Sequence, residues 1–186
     1  MNTIFSKAIK HFSHTALFMM ATVLVSPGYA DTINPQVLLE KVTQTTFERI
    51  ESEQQNIKSD PDHLRVIIEQ ELMPYVDHKF AAFKVLGNQF RSVPKGKIPE
   101  FVDEFKQYLV SNFAVALASY SGQEILFEPV KNFTNQKDMN IKAIIKQMDG
   151  PDIRISFKLR KIKNTQQWKT YDLVAEGISL LSSKRG

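Results

Sequence analysis

The sequence contains no cysteine. That excludes a disulfide framework, thiolate catalysis and a lipid-modified amino-terminal cysteine. A domain without cysteine holds together by packing alone. Histidine is sparse as well: beyond residue 30 only His63 and His78 remain. No HExxH, GxSxG, glycine-rich phosphate loop or carboxylate–histidine metal spacing occurs, so no metal or cofactor is implied. His63 falls in the first turn of a helix, where a solvated role suffices, and the adjacent Asp77 and His78 point to different sides of a helix. Neither acids nor bases predominate strongly, with 24 Lys and Arg against 20 Asp and Glu. The formal net charge is +4, too balanced for nucleic acid, whose binding needs a concentrated basic surface.

No apolar run reaches the roughly eighteen residues of a membrane span. The longest, "TALFMMATVLV", follows "MNTIFSKAIKHFSH", which carries Lys7 and Lys10 and no acid, and precedes "SPGYA" with Gly28 and Ala30. This is the three-part pattern of a secretory signal peptide over residues 1–30. Cleavage after Ala30 leaves 156 residues, enough for one domain with its own core. That remainder, residues 31–186, carries 22 basic and 20 acidic residues, a net charge of +2. Lys158, Arg160, Lys161, Lys163 and Lys169 cluster late, either as a solvated strand face or as a contact for anionic headgroups or an acidic partner.

What is present reads as helices followed by strands. "NPQVLLEKVTQTTFERIESEQQNI" has Asn34 as N-cap and Pro35 at the first helical position, with Val37, Leu38, Val42, Thr45 and Ile50 on one side. "DPDHLRVIIEQELMPYV" repeats the device with Asp60 and Pro61, and Pro74 predicts a kink or stop. A third helix is expected from Asp77 to Phe90, and a fourth along Ile98, Phe101, Val102, Phe105, Tyr108, Leu109, Phe113, Ala116 and Leu117. Then come "EILFEPV", "DMNIKAIIKQM", "DIRISFKLRKI" and "WKTYDLVAEGISLL", separated by turn signals. In the third of these Ile153, Ile155, Phe157 and Leu159 alternate with Arg154, Ser156, Lys158 and Arg160, as a one-sided antiparallel sheet requires. The order predicts an α+β fold in a single domain.

Two features bear on function. Asp172 and Glu176 share a strand face at a spacing of four, and two carboxylates can do acid–base work, although surface or turn-capping roles explain them as well. The stronger signal is apolar. The third helix, with Phe80, Ala81, Phe83, Val85, Leu86 and Phe90, is apolar on more than one side, so it is either buried from several directions or lines a cavity.

Three phrases carry a family resemblance: "PDHLRVIIEQELMPYVDHKFAAFKVLG", "FVDEFKQYLVSNFAVALASYSGQ" and "WKTYDLVAEGISLLSSKR". In order and spacing they resemble the MlaC family of periplasmic phospholipid-binding proteins of the maintenance-of-lipid-asymmetry pathway, also called the toluene-tolerance auxiliary family. The resemblance implies helices around a curved antiparallel sheet that encloses an apolar cavity for acyl chains. It implies a periplasmic carrier, not an enzyme, that shuttles phospholipid between the outer and inner membranes. The implied partners are an outer-membrane lipoprotein–porin complex and the lipid-binding subunit of an inner-membrane ABC transporter. Carried onto this sequence, the cavity draws on Met73, Tyr75, Val76, Phe80, Phe83 and Leu86; on Phe105, Tyr108 and Leu109; and on Ile145, Phe157, Leu173, Ala175, Gly177 and Ile178. Tyr75, Tyr171, Asp172, Glu176 and Gly177 rest on matched motif positions. The family usually continues with a tryptophan-containing segment and a closing helix, whereas this sequence ends at "SSKRG", so either residues are missing or that cover is. An exported module for another apolar cargo, a lipoprotein acyl group or a peptide, is the alternative.

Overall fold

The computed structural model describes residues 33–184; the signal peptide expected over residues 1–30 lies outside them. Helix α1 (Pro35–Ser52) begins as its sequence dictates, with the Asn34 side chain accepting from the Gln36 amide at 2.9 Å and Pro35 preset for the first turn. Its buried stripe is Pro35, Leu39, Val42, Thr46 and Ile50. Val37 and Thr45, expected on that side, are exposed, because the stripe follows Leu39 and Thr46 at helical spacing instead. The helix also ends earlier than expected. At Glu53 the backbone leaves helical values and a separate short helix, α2 (Gln54–Ser59), follows.

Helix α3 (His63–Glu71) buries Leu64, Ile67 and Ile68, each contributing about 1.5–3 kcal/mol by leaving water. Pro74 ends it through a single 3₁₀ turn over Met73–Tyr75. There the chain does something that only backbone geometry reveals. Val76 forms a parallel bridge with Thr170, and the Asp77 amide donates to the Thr170 carbonyl at 2.8 Å. The elbow is thus sewn to the edge of the sheet. Asp77 then caps α4 (His78–Leu86) through the Phe80 amide at 3.1 Å. Gly87, at φ +51°, stops α4 short of the expected Phe90, and a 3₁₀ segment runs to Ser92. Helix α5 (Ile98–Ala118) is the longest and packs on α3 and α4.

The sheet is an antiparallel meander in sequence order: β1 (Ile125–Phe127), β2 (Asp138–Ile145), β3 (Ile153–Lys161), β4 (Trp168–Ala175) and β5 (Ile178–Ser179). With the helices it makes the α+β fold. Between β3 and β4 the register shifts: Phe157 opposes Leu173 and Leu159 opposes Thr170, leaving Tyr171 as an extra residue. The bulge turns Tyr171 onto Phe80, edge to face at 5.1 Å, while Arg160 lies 4.1 Å over the same Phe80 ring. Apolar packing forms two cores. One joins α3, α4, α5 and Leu181; the other joins Leu39 of α1 to Ile141, Leu159 and Trp168 of the sheet.

Candidate functional site: an apolar hollow between helix and sheet

Between these two cores lies a hollow of about 250 Å³. Helix α1 supplies Leu39, Val42, Thr43, Thr46 and Phe47, and the elbow supplies Leu72, Tyr75 and Val76. The end of α5 adds Phe113, Ala116 and Leu117, and the sheet closes the far side with Ile125, Ile145, Ile155, Phe157, Thr170 and Leu173. Each wall has a local cause. On α1 the packing face carries leucine and valine at Leu39 and Val42, then shortens to threonine at Thr43 and Thr46. Leu39 reaches the sheet and the threonines do not fill the space beyond. Thr46 is 1% exposed, and its hydroxyl donates to the Val42 carbonyl of its own helix at 2.7 Å. It therefore asks nothing of a ligand.

The polar side chains of the lining are three threonines and Tyr75. Such a wall offers shape and dryness with few directional contacts. Near the hollow, Phe47 stacks on Tyr120 at 4.0 Å, and the Tyr120 hydroxyl donates to Glu51 at 3.3 Å. Burial, followed by the Glu51 charge, pushes the Tyr120 hydroxyl above its usual pKa and keeps it protonated. Beside the hollow runs a second, more open concavity of about 390 Å³ between α1 and β1, sharing Thr43, Phe47 and Ile125 with it.

Of the residues expected to line a cavity, the structure brings Tyr75, Val76, Ile145, Phe157 and Leu173 together around the hollow. Met73, Phe105 and Leu109 are buried in the helical core instead. Phe80 packs under Arg160 and against Tyr171, Phe83 meets Phe90 edge-on at 5.3 Å, and Leu86 ends the same helix α4. Tyr108 packs beside Phe105. Ala175, Gly177 and Ile178 form the β4–β5 turn, with Gly177 at φ +82° and Ile178 exposed. The lining that sequence reasoning missed lies mainly on α1. Its signal was the run of short side chains on an otherwise apolar face, together with the alanines that end α5.

The two carboxylates are occupied structurally. Asp172 is buried and accepts from Lys158 at 2.9 Å, from the Ser179 hydroxyl at 2.7 Å and from the Leu181 amide at 3.2 Å. It ties the chain after β5 back onto β4. Exposed Glu176 accepts from the Arg154 amide. Two of the late basic residues are likewise paired, Lys158 with Asp172 and Arg160 with Asp77 at 3.4 Å.

A sequence profile described as MlaC protein matches residues 40–186. The chain belongs to the MlaC family. One MlaC relative, the intermembrane phospholipid transport system binding protein MlaC of Haemophilus influenzae, is 34% identical over 173 residues, covering 92% of this chain and 80% of that protein. Among solved structures, a phospholipid-binding protein from Ralstonia solanacearum, determined in complex with a phospholipid, superposes with a TM-score of 0.71 over 81% of this chain and 82% of the other at 17% identity. The MlaC assignment thus rests on sequence, and the structural likeness extends to the fold.

Proposed function

We propose that this protein is a phospholipid carrier that holds acyl chain in the hollow while crossing the aqueous space between the outer and inner membranes. The observation that carries the reading is the dry lining, which leaves an apolar volume unfilled by the protein's own side chains. In this reading residues 1–30 direct export and are removed, and residues 31–186 form a single lipid-binding domain in the periplasm. The lipid is collected from or delivered to a lipoprotein–porin complex at the outer membrane and the lipid-binding subunit of an ABC transporter at the inner one. The name of the Haemophilus relative and the phospholipid bound to the Ralstonia protein support it.

The energetics suit a carrier. Two acyl chains expose roughly thirty methylenes at about 0.8 kcal/mol each, so on the order of 25 kcal/mol holds a bare lipid in its bilayer. A carrier replaces one apolar environment with another, and the net preference between bilayer and hollow is then small. Size sets a further condition. An apolar cavity of about 150 Å³ accepts benzene, so the 250 Å³ here corresponds to about ten carbons, part of one chain. Holding a whole diacyl lipid therefore requires the walls to part or the tails to extend through the mouth.

The test is organic extraction of protein purified from a Gram-negative host, followed by mass spectrometry. Stoichiometric diacyl phospholipid is expected. A protein that comes away lipid-free, or that holds a different apolar cargo, refutes the assignment.

A further inference from the structure

The open concavity beside the hollow has a backbone wall as well as a side-chain wall. The Glu124 carbonyl accepts from the Lys146 amide at 2.8 Å, and the Glu128 amide donates to the Lys142 carbonyl at 2.9 Å. Alternation in an antiparallel ladder then fixes the residues between: Leu126 shares its bonds with Ile144, while the N–H and C=O groups of Ile125 and Phe127 turn away from β2. Strand β1 is the first in the sheet order. Among the described residues, nothing accepts from or donates to these four groups. The free edge of β1 borders the concavity whose other wall is Glu40, Thr43, Gln44 and Phe47 of α1, and another strand beside that edge would lie about 4.8 Å from β1.

We propose that this groove receives an extended segment of a partner protein, which adds to the sheet as a strand beside β1. The charges decide whose strand it is. Glu124, Leu126 and Glu128 share the outer face of β1 and are exposed, and Glu128 already lies 3.8 Å from the Lys142 ammonium of β2, an exposed pair that screens it only weakly. A second copy of this chain pairing in the matching register sets Glu124 opposite Glu128 twice over, a like-charge arrangement that destabilises a sheet. A strand with basic residues at those two positions converts both repulsions into attractions. On the inner face the segment meets Phe47 and the Ile125 and Phe127 side chains, which call for apolar residues. The recognised pattern is thus basic, apolar, any residue, apolar, basic. Docking there places the partner against Thr43, Phe47 and Ile125, which also line the hollow. The proposal stands on the groove alone and does not require that the hollow carry phospholipid.

The test is an NMR titration of the isotopically labelled protein with a synthetic peptide whose centre reads lysine–valine–threonine–valine–lysine. Saturable shifts and slowed amide exchange at Ile125 and Phe127 are expected, with binding weakened by salt. Methylating the two valine nitrogens should abolish binding, whereas methylating the threonine nitrogen, which faces away from β1, should not. Replacing the lysines by glutamates should weaken binding about tenfold, and the paired variant Glu124→Lys, Glu128→Lys should reverse that preference. Indifference to valine methylation or to the charge swap overturns the proposal. So does sedimentation showing that the protein self-associates through this edge, dissociating on Leu126→Lys. Expulsion of bound lipid in proportion to added peptide overturns it too, because the groove then belongs to the cargo. Lipid content is measured by extraction from the same samples, so failure of the carrier reading and failure of the strand reading give separate signals.

Discussion

Leu173→Asn places an amide of nearly the same size in the sheet wall of the hollow. In the empty protein that amide keeps water near the cavity surface, and stability falls by about 1–2 kcal/mol from the lost apolar burial. In the loaded protein it must face hydrocarbon without a partner, at about 1–3 kcal/mol. Lipid affinity should therefore drop by about five- to 150-fold. The control is Phe83→Ala, which removes a larger apolar side chain from α4, where it packs on the helical core and on Phe90. Half-burial puts its cost at roughly 2–3 kcal/mol, below the value for a fully buried phenylalanine, and its melting temperature falls by roughly 5–10 °C. Yet lipid content should stay near the wild-type value. The assay pairs extracted lipid per protein with transfer of a fluorescent phospholipid between vesicles, at a temperature where both variants are folded. Normal loading of Leu173→Asn, or equal loss in both variants, would refute the placement of the cargo between α1 and the sheet.

Two further outcomes concern the frame around the hollow. Asp172→Ala leaves Lys158, the Ser179 hydroxyl and the Leu181 amide without their acceptor, and should lower stability by about 3 kcal/mol in denaturant titrations. A change under about 1 kcal/mol would show that the C-terminal segment holds without it. His78 is kept below its ordinary pKa of 6.5, first by burial and then by the positive charge of Lys106. The unfolded chain therefore takes up its proton before the folded one does. Its contribution to stability is complete above the unfolded pKa and is lost as pH falls through that value toward the depressed one. Thermal melts between neutral and mildly acidic pH should show this slope, and His78→Gln should flatten it.

Much of the frame was legible in the residues. Asn34 and Pro35 start α1 as their capping chemistry requires, and alternation along Ile153–Arg160 gives both the strand and its two faces. The hollow was less legible, for two reasons. Apolar character on several sides of α4 admitted two meanings, and the structure shows the denser one: α5, the edge of β4 and Phe90 cover it. The wall on α1 was obscured because Thr43 and Thr46 look polar in sequence, yet Thr46 satisfies its hydroxyl within its own helix and is buried at the hollow. The role of Pro74 was only half visible. A break was predictable from the missing amide, but the bridge from Val76 to Thr170 depends on where the sheet edge lies, about a hundred residues further on.

That bridge gives the container a hinge side and a free side. At the elbow, swelling would have to pull apart main-chain hydrogen bonds that β4 has already formed. Opposite, α1 is held to the β1 side by side chains alone: Gln36 accepts from the Val130 amide at 2.7 Å, Phe47 stacks on Tyr120, whose hydroxyl donates to Glu51, and Leu38 and Leu39 pack with Phe127 and Val130. A longer tail is therefore accommodated more cheaply by lifting α1 than by unpicking the elbow, and a cross-link joining Thr43 to Ile125 would clamp the compliant side shut.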